Sequence, residues 1–162
     1  MDLQQTDGVF DDVAFRAVSG SLKRKINQEA CAYWNSIRGS RRIPMRSDFD
    51  PAGIRRLLPS VILLDVLRPE FDFRYRLIGT RWVMHFGRDY TGLLMSKIKH
   101  QRQPSRVWDA VSKVVQDGMP LSPDLPYVGH LFGGREIEVL ISPLSRGGEQ
   151  VDLLFVTVDF SE

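Results

Sequence analysis

The run VILLDVL at 61–67 constrains this chain more than any other segment. It is almost unbroken apolar sequence, preceded by Pro59 and followed by the turn residues Arg68, Pro69 and Glu70. An apolar run this short between breakers reads as a buried strand, taken here as Ser60–Leu67. Across the turn, Phe71–Ile78 alternates, with Phe73, Tyr75 and Leu77 on one face and Arg74, Arg76 and Ile78 on the other. The tight connection makes the two segments an antiparallel hairpin.

The end of the chain repeats the strand signal. Leu121–Phe132 is interrupted by Pro123 and Pro126, which places its first half on an edge or in irregular chain. Gly133-Gly134 reads as a hairpin turn, and Arg135–Leu144 sets Ile137, Val139 and Ile141 against Glu136 and Glu138. Arg146-Gly147-Gly148 is a second turn. Val151–Phe160, rich in Val, Leu and Phe, reads as a central strand beside Ser60–Leu67.

Helical signals lie before and between these strands. Ile26, Ala30, Tyr33, Trp34 and Ile37 recur at helical spacing, Ser21 is placed to cap, and Gly39 to stop, so a helix is expected at about 22–38. Asp50-Pro51 starts a short helix that Pro59 ends, since proline loses nothing at the first helical position. Trp82, Val83 and Phe86 sit on a short helix after Gly79 and Thr80. A longer helix is expected from Pro104 to Gln116, ended by Gly118 and Pro120. Residues 1–20 show no strong period and read as a loose leader with one short helical turn, leaving 21–162 as the folded domain.

The order is helix, two strands, several short helices, one longer helix, three strands. The predicted fold class is α+β: a five-stranded antiparallel sheet with helices on one face and an N-terminal helix. The chain resembles the PAS fold over about residues 22–160, and is most similar to a family of small stand-alone bacterial PAS-like proteins, formerly a domain of unknown function. The blocks YWNSIRGSRRIPMRSDFDP (33–51), LLPSVILLDV (57–66), FRYRLIGT (73–80) and RDYTG (88–92) carry the resemblance, in order and with suitable spacing. It implies the strand order 2-1-5-4-3, a pocket beneath the helical segment, and signalling through ligand or protein-partner binding. It carries no catalytic residues. Light-sensing flavin PAS domains have a reactive cysteine in a GRNCRFLQ-type motif. Residues 80–100 contain none, so flavin–thiol photochemistry is not expected.

The expected pocket residues are Phe73, Tyr75, Trp82, Phe86, Trp108 and Tyr127, since ligand pockets are lined mainly by apolar and aromatic side chains. The simpler reading is that they fill the core. His85 in WVMHFG is the one candidate haem ligand, but a lone histidine in an aromatic helix more often packs. His85, His100 and His130 lack metal-ligand spacing. No cofactor and no metal are expected. Arg74 and Arg76 could meet an anionic ligand or partner, though solvent-facing arginines are the default on an alternating strand.

The single cysteine, Cys31, allows no internal disulfide and no cysteine-built zinc site, and buried packing is its expected role. No GxSxG elbow, Walker A loop or HExxH motif is present, and an enzyme is not expected. No apolar run approaches the roughly 20 residues of a membrane helix, and the acidic start does not read as a signal peptide. A cytoplasmic protein is expected. With no kinase, cyclase or DNA-binding extension, output is expected through a separate signalling protein partner.

Two surface features remain. The stripe of Ile26, Ala30, Tyr33, Trp34 and Ile37 is too broad to leave in water. PAS-like proteins often pair through an N-terminal helix, so the stripe is the expected homodimer interface, with packing on its own sheet as the competing outcome. Residues 23–56 carry nine basic and three acidic residues, a net of +6, beside a leader of net −3. Such a block can attract an anionic partner. Nucleic-acid binding is therefore the alternative function, although the block lacks the interleaved aromatics of single-strand binders.

Overall fold

The computed structural model describes residues 3–125 and 137–160. Four strands stand among them: β1 (Val61–Leu67), β2 (Asp72–Ile78), β3 (Ile137–Leu144) and β4 (Leu153–Phe160). They form one antiparallel sheet in the order β2-β1-β4-β3. β4 therefore lies between β1 and β3, with Leu63 opposite Phe155. Five strands are expected from the sequence. Of the predicted third strand, Leu121 forms a single antiparallel bridge to Ile141 on the outer side of β3, with N–H···O distances of 2.9 and 2.8 Å. Residues 122–125 of that predicted strand are not in a strand, which agrees with Pro123 interrupting it, although the Ser122 hydroxyl still donates to the Val139 carbonyl at 2.8 Å. Residues 126–132 and the Gly133-Gly134 turn lie outside the described residues.

The largely apolar sequences of β1 and β4 follow from cover on both faces. Ile62, Leu64, Val66, Leu154, Val156 and Val158 join one core cluster. Their neighbours Val61, Leu63, Leu153 and Phe155 join another, on the opposite face. The first face is covered by α3 (Thr80–Phe86), a 3-10 turn at Met95–Lys97 and α4 (Arg106–Asp117). The second is covered by α1 (Leu3–Ser21) and α2 (Lys25–Arg38). The helices thus form layers on both sides of the sheet, where the sequence places them on one face and leaves the docking of the N-terminal helix open.

Three local expectations need correction. Of the loose leader with one helical turn expected over 1–20, the described part is helical throughout, in Leu3–Ser21. This helix owes little to its own periodicity and is held by tertiary contacts, as short helices usually are. Phe15 stacks on Trp34 at 5.8 Å, Val18 packs on the same cluster, and Asp12 pairs with Arg38 at 3.6 Å. Second, Ser21 ends α1 and does not cap α2. Its hydroxyl donates to the Val18 carbonyl. The start of α2 is capped instead by carboxylates from the sheet. Glu138 accepts from the backbone N–H groups of Lys23 and Arg24 at 2.8 and 3.1 Å, and Asp159 from that of Ile26 at 3.3 Å. Negative charge at a helix start satisfies orphan donors and complements the helix dipole.

Third, β2 does not alternate to its end. Leu63 pairs with Leu77 but Leu64 pairs with Tyr75, so Arg76 is an extra residue in a bulge. Beyond it the two faces exchange. Leu77 is 40% exposed, while Ile78, read from sequence as sharing the arginine face, packs on the core with Phe73 and Tyr75.

Other local signals give what their chemistry predicts. The Asp50 carboxylate accepts from the Ala52 N–H at 2.9 Å ahead of Pro51. Ser105 caps α4 by accepting from the Trp108 N–H at 3.0 Å. Gly39 ends α2 at φ +61°, the left-handed region glycine enters without cost. The turn after β3 closes with the Gly148 N–H on the Ser145 hydroxyl at 2.7 Å.

Candidate functional site

Between the sheet and α3, the Met95–Lys97 turn and α4 lies a cavity of about 140 Å³. Its floor is the inward face of the sheet, with Ile62 and Leu64 from β1, Tyr75 from β2, and Val139 and Ile141 from β3. Trp82, His85 and Phe86 come from α3, and Val107 and Val111 from α4. Met95, Ile98 and Gln101 come from the chain between those helices. Leu125 and Ile137, which flank the undescribed segment, also line it.

The wall nearest α3 is a series of rings. Trp82 stacks on Phe86 at 5.2 Å and 29°, Phe86 meets Tyr90 at 5.1 Å, and Tyr90 lies 6.0 Å from Tyr75. Trp82 is fixed by its indole N–H, which donates to the Ser60 carbonyl at 2.9 Å. Gly79 brings α3 this close to the chain at Leu58–Ser60. A Cβ there would overlap the carbonyl oxygens of Leu58 and Pro59. The constraint at Gly79 is space, not backbone torsion, since its φ is −65°.

The polar groups of the cavity are few. The Tyr75 hydroxyl donates to the Gln101 Oε1, and both residues are buried. Burial pushes the Tyr75 phenol well above its usual range. His85 is buried against Phe160 at 4.7 Å and against Trp82 at 6.0 Å, and burial lowers its pKa from 6.5. It is therefore held as a neutral imidazole within an aromatic cluster. His100 also lines the cavity but is exposed.

Of the residues expected in a pocket, the structure brings Tyr75, Trp82 and Phe86 together at the cavity. Phe73 and Trp108 belong to the core beside it. Their rings meet edge to face at 5.3 Å, with Phe71 against both. Tyr127 and His130 lie outside the described residues. Sequence reasoning missed Tyr90, Met95, Ile98 and Gln101 because that stretch has no helix or strand period. The one available signal was the RDYTG block at 88–92, which contains Tyr90 and ends just before Met95.

The stripe expected at a dimer interface is covered within its own chain. Ala30 and Trp34 are buried, and the Trp34 indole N–H donates to the Pro143 carbonyl of β3 at 2.8 Å. Tyr33 lies against Phe49 and Phe155, and Ile26 and Ile37 are partly buried on the same cluster. The need for burial that pointed to a second subunit is thus met by the sheet. Cys31 is buried beside them, and burial raises its thiol pKa, which disfavours the reactive thiolate.

Five arginines of the basic block are engaged with the chain itself. Arg56 pairs with Glu29 at 3.1 Å, Arg41 with Asp48, and Arg42 donates to the Asp117 carbonyl at 2.7 Å. Arg38 lies over both Phe15 and Trp34, and Arg46 over Phe49. Arg76 reaches across the sheet to Asp65 at 2.8 Å, while Arg74 is exposed. Among the described residues no three His, Cys, Asp or Glu side chains gather as a metal site would need, and no helix is long and apolar enough to cross a membrane.

The antiparallel sheet thus carries an apolar cavity under a helical roof. The chain belongs to the PAS domain family, whose model matches residues 22–157. Domains of that family serve generally in sensing and signalling, and the match begins just after α1, at Leu22. No curated protein matches the chain.

Proposed function

We propose that this domain is a sensory or adaptor module that binds a small molecule in the cavity between the sheet and α3–α4, and passes its state to a separate protein. The observation that carries the reading is the cavity itself. A volume of about 140 Å³ is far more than close packing leaves between side chains, and it is lined by apolar and aromatic groups with a few convergent polar ones. Among the described residues that line it, no nucleophile–base pair meets, which favours binding over turnover. The helix that roofs the cavity also reaches the α2 cap: Arg81 of α3 lies over Phe160 and 4.0 Å from Asp159, whose carboxylate accepts from the Ile26 N–H at the start of α2. A ligand that shifted α3 would alter contacts at the α2 start, where a partner can read them. Native mass spectrometry of freshly purified protein, with an absorption spectrum, tests the reading. A retained small molecule, released on unfolding, is the expected result.

A further inference from the structure

The cavity's polar corner specifies its ligand more narrowly, an inference that rests on the ligand-binding reading above. Gln101 is 7% exposed and lines the cavity. Its position is set by the backbone: its N–H donates to the Ile98 carbonyl at 3.0 Å, and its carbonyl accepts from the Ser105 hydroxyl at 2.7 Å. Its Oε1 is taken by the Tyr75 hydroxyl. The carboxamide NH2 has no hydrogen bond to any described residue, so an unpaired donor on a largely buried side chain is left at the cavity wall. Such a donor is costly to leave unmet, and buried polar groups nearly always find a partner.

We propose that the cavity takes an uncharged molecule, about the size of a substituted benzene ring, whose carbonyl-type acceptor receives a hydrogen bond from the Gln101 carboxamide NH2. Size sets the first condition: an apolar cavity of roughly 150 Å³ accommodates benzene. Shape sets the second, since Trp82, Phe86 and Tyr90 present ring faces and edges on one side, which suit a flat aromatic partner. Charge sets the third. Among the described residues, no Asp, Glu, Lys or Arg lines the cavity, and burying an unpaired charge is strongly unfavourable. His85 supplies no counter-charge, because burial keeps its imidazole neutral.

The test uses three probes of similar shape on the full chain at pH 8: acetophenone, ethylbenzene and benzoate, each titrated by calorimetry after removal of any retained ligand. Acetophenone should bind about tenfold more tightly than ethylbenzene, the usual scale for satisfying a buried donor, and benzoate should bind most weakly. Gln101→Leu should abolish the difference between the first two while leaving ethylbenzene bound, and Gln101→Met serves if the leucine variant does not fold. The wild-type comparison decides even without either variant. Equal binding of acetophenone and ethylbenzene overturns the role of Gln101 yet leaves the cavity a ligand site. Tightest binding by benzoate overturns the uncharged class. If none of the three binds, the inference falls, and the retained mass in native spectrometry judges the ligand-binding reading separately.

Discussion

The Trp34 indole N–H donates to the Pro143 carbonyl oxygen at 2.8 Å, tying the middle of α2 to β3 through a fully buried side chain. A tryptophan there does two things at once. It fills the space between α1, α2 and the sheet, stacked on Phe15, and it satisfies a strand carbonyl.

Removing this anchor should damage the monomer. Trp34→Ala should cost about 3–5 kcal/mol, and Tm should fall on the order of 10 °C. Trp34→Glu should cost at least as much, because a carboxylate would be buried without a partner. Thermal melts with sedimentation check this. A lower Tm with unchanged oligomeric state is expected. Dissociation of a dimer into monomers of unaltered stability would return the stripe to an intersubunit role.

Two glycines should answer in opposite directions. Gly79→Ala forces a Cβ into the backbone of Leu58 and Pro59, atoms that cannot rotate away, and should destabilise by about 2 kcal/mol or more. Gly20 lies in α1 with nothing near a Cβ, so Gly20→Ala should stabilise by roughly 0.5–1 kcal/mol. Urea melts of the two variants measure both. Equal effects would remove the close approach of α3 as the reason for glycine at position 79.

His85 should give the stability a pH dependence. Burial lowers its folded-state pKa below the unfolded value of 6.5. Between those two values the unfolded chain binds more protons than the folded one, so stability rises with pH in that window. It should be fully present above about pH 6.5 and decline as pH falls toward the folded pKa. His85→Phe keeps the ring packing against Phe160 and removes the proton. Denaturant melts from pH 5 to 8 should show a smaller slope in the variant. An unchanged slope would show that His85 is accessible to protons in the folded state.

The sequence made some elements legible through unambiguous local chemistry. β1 and β4 are largely apolar because both faces of the sheet are covered, and Asp50-Pro51 announces its helix start. What escaped reading depends on distant partners. α1 is held by Phe15 on Trp34, and the start of α2 by Glu138 and Asp159, more than a hundred residues away in the chain. The bulge at Arg76 leaves no mark in an alternating sequence, yet it exchanges the faces of Leu77 and Ile78. The cavity was half legible. Tyr75, Trp82 and Phe86 follow from aromatic placement on a strand and a helix. Gln101 sits in chain without a period, and Phe73 and Trp108 are as aromatic as the true lining but spend their rings on each other.

The central claim, that the cavity is a binding site and not a packing fault, is tested most directly by filling it. Val111 of α4 is buried and lines the cavity, so Val111→Phe places a ring in the space a ligand would use. Native mass spectrometry of the wild type and this variant, purified side by side, should show a retained small molecule in the first and none in the second. The variant should keep its fold, with Tm within a few degrees of the wild type's, because the added ring enters open volume and avoids most of the usual overpacking cost of about 1–3 kcal/mol. A ligand retained equally by both proteins would contradict the account, and so would a variant that unfolds because the space was never open.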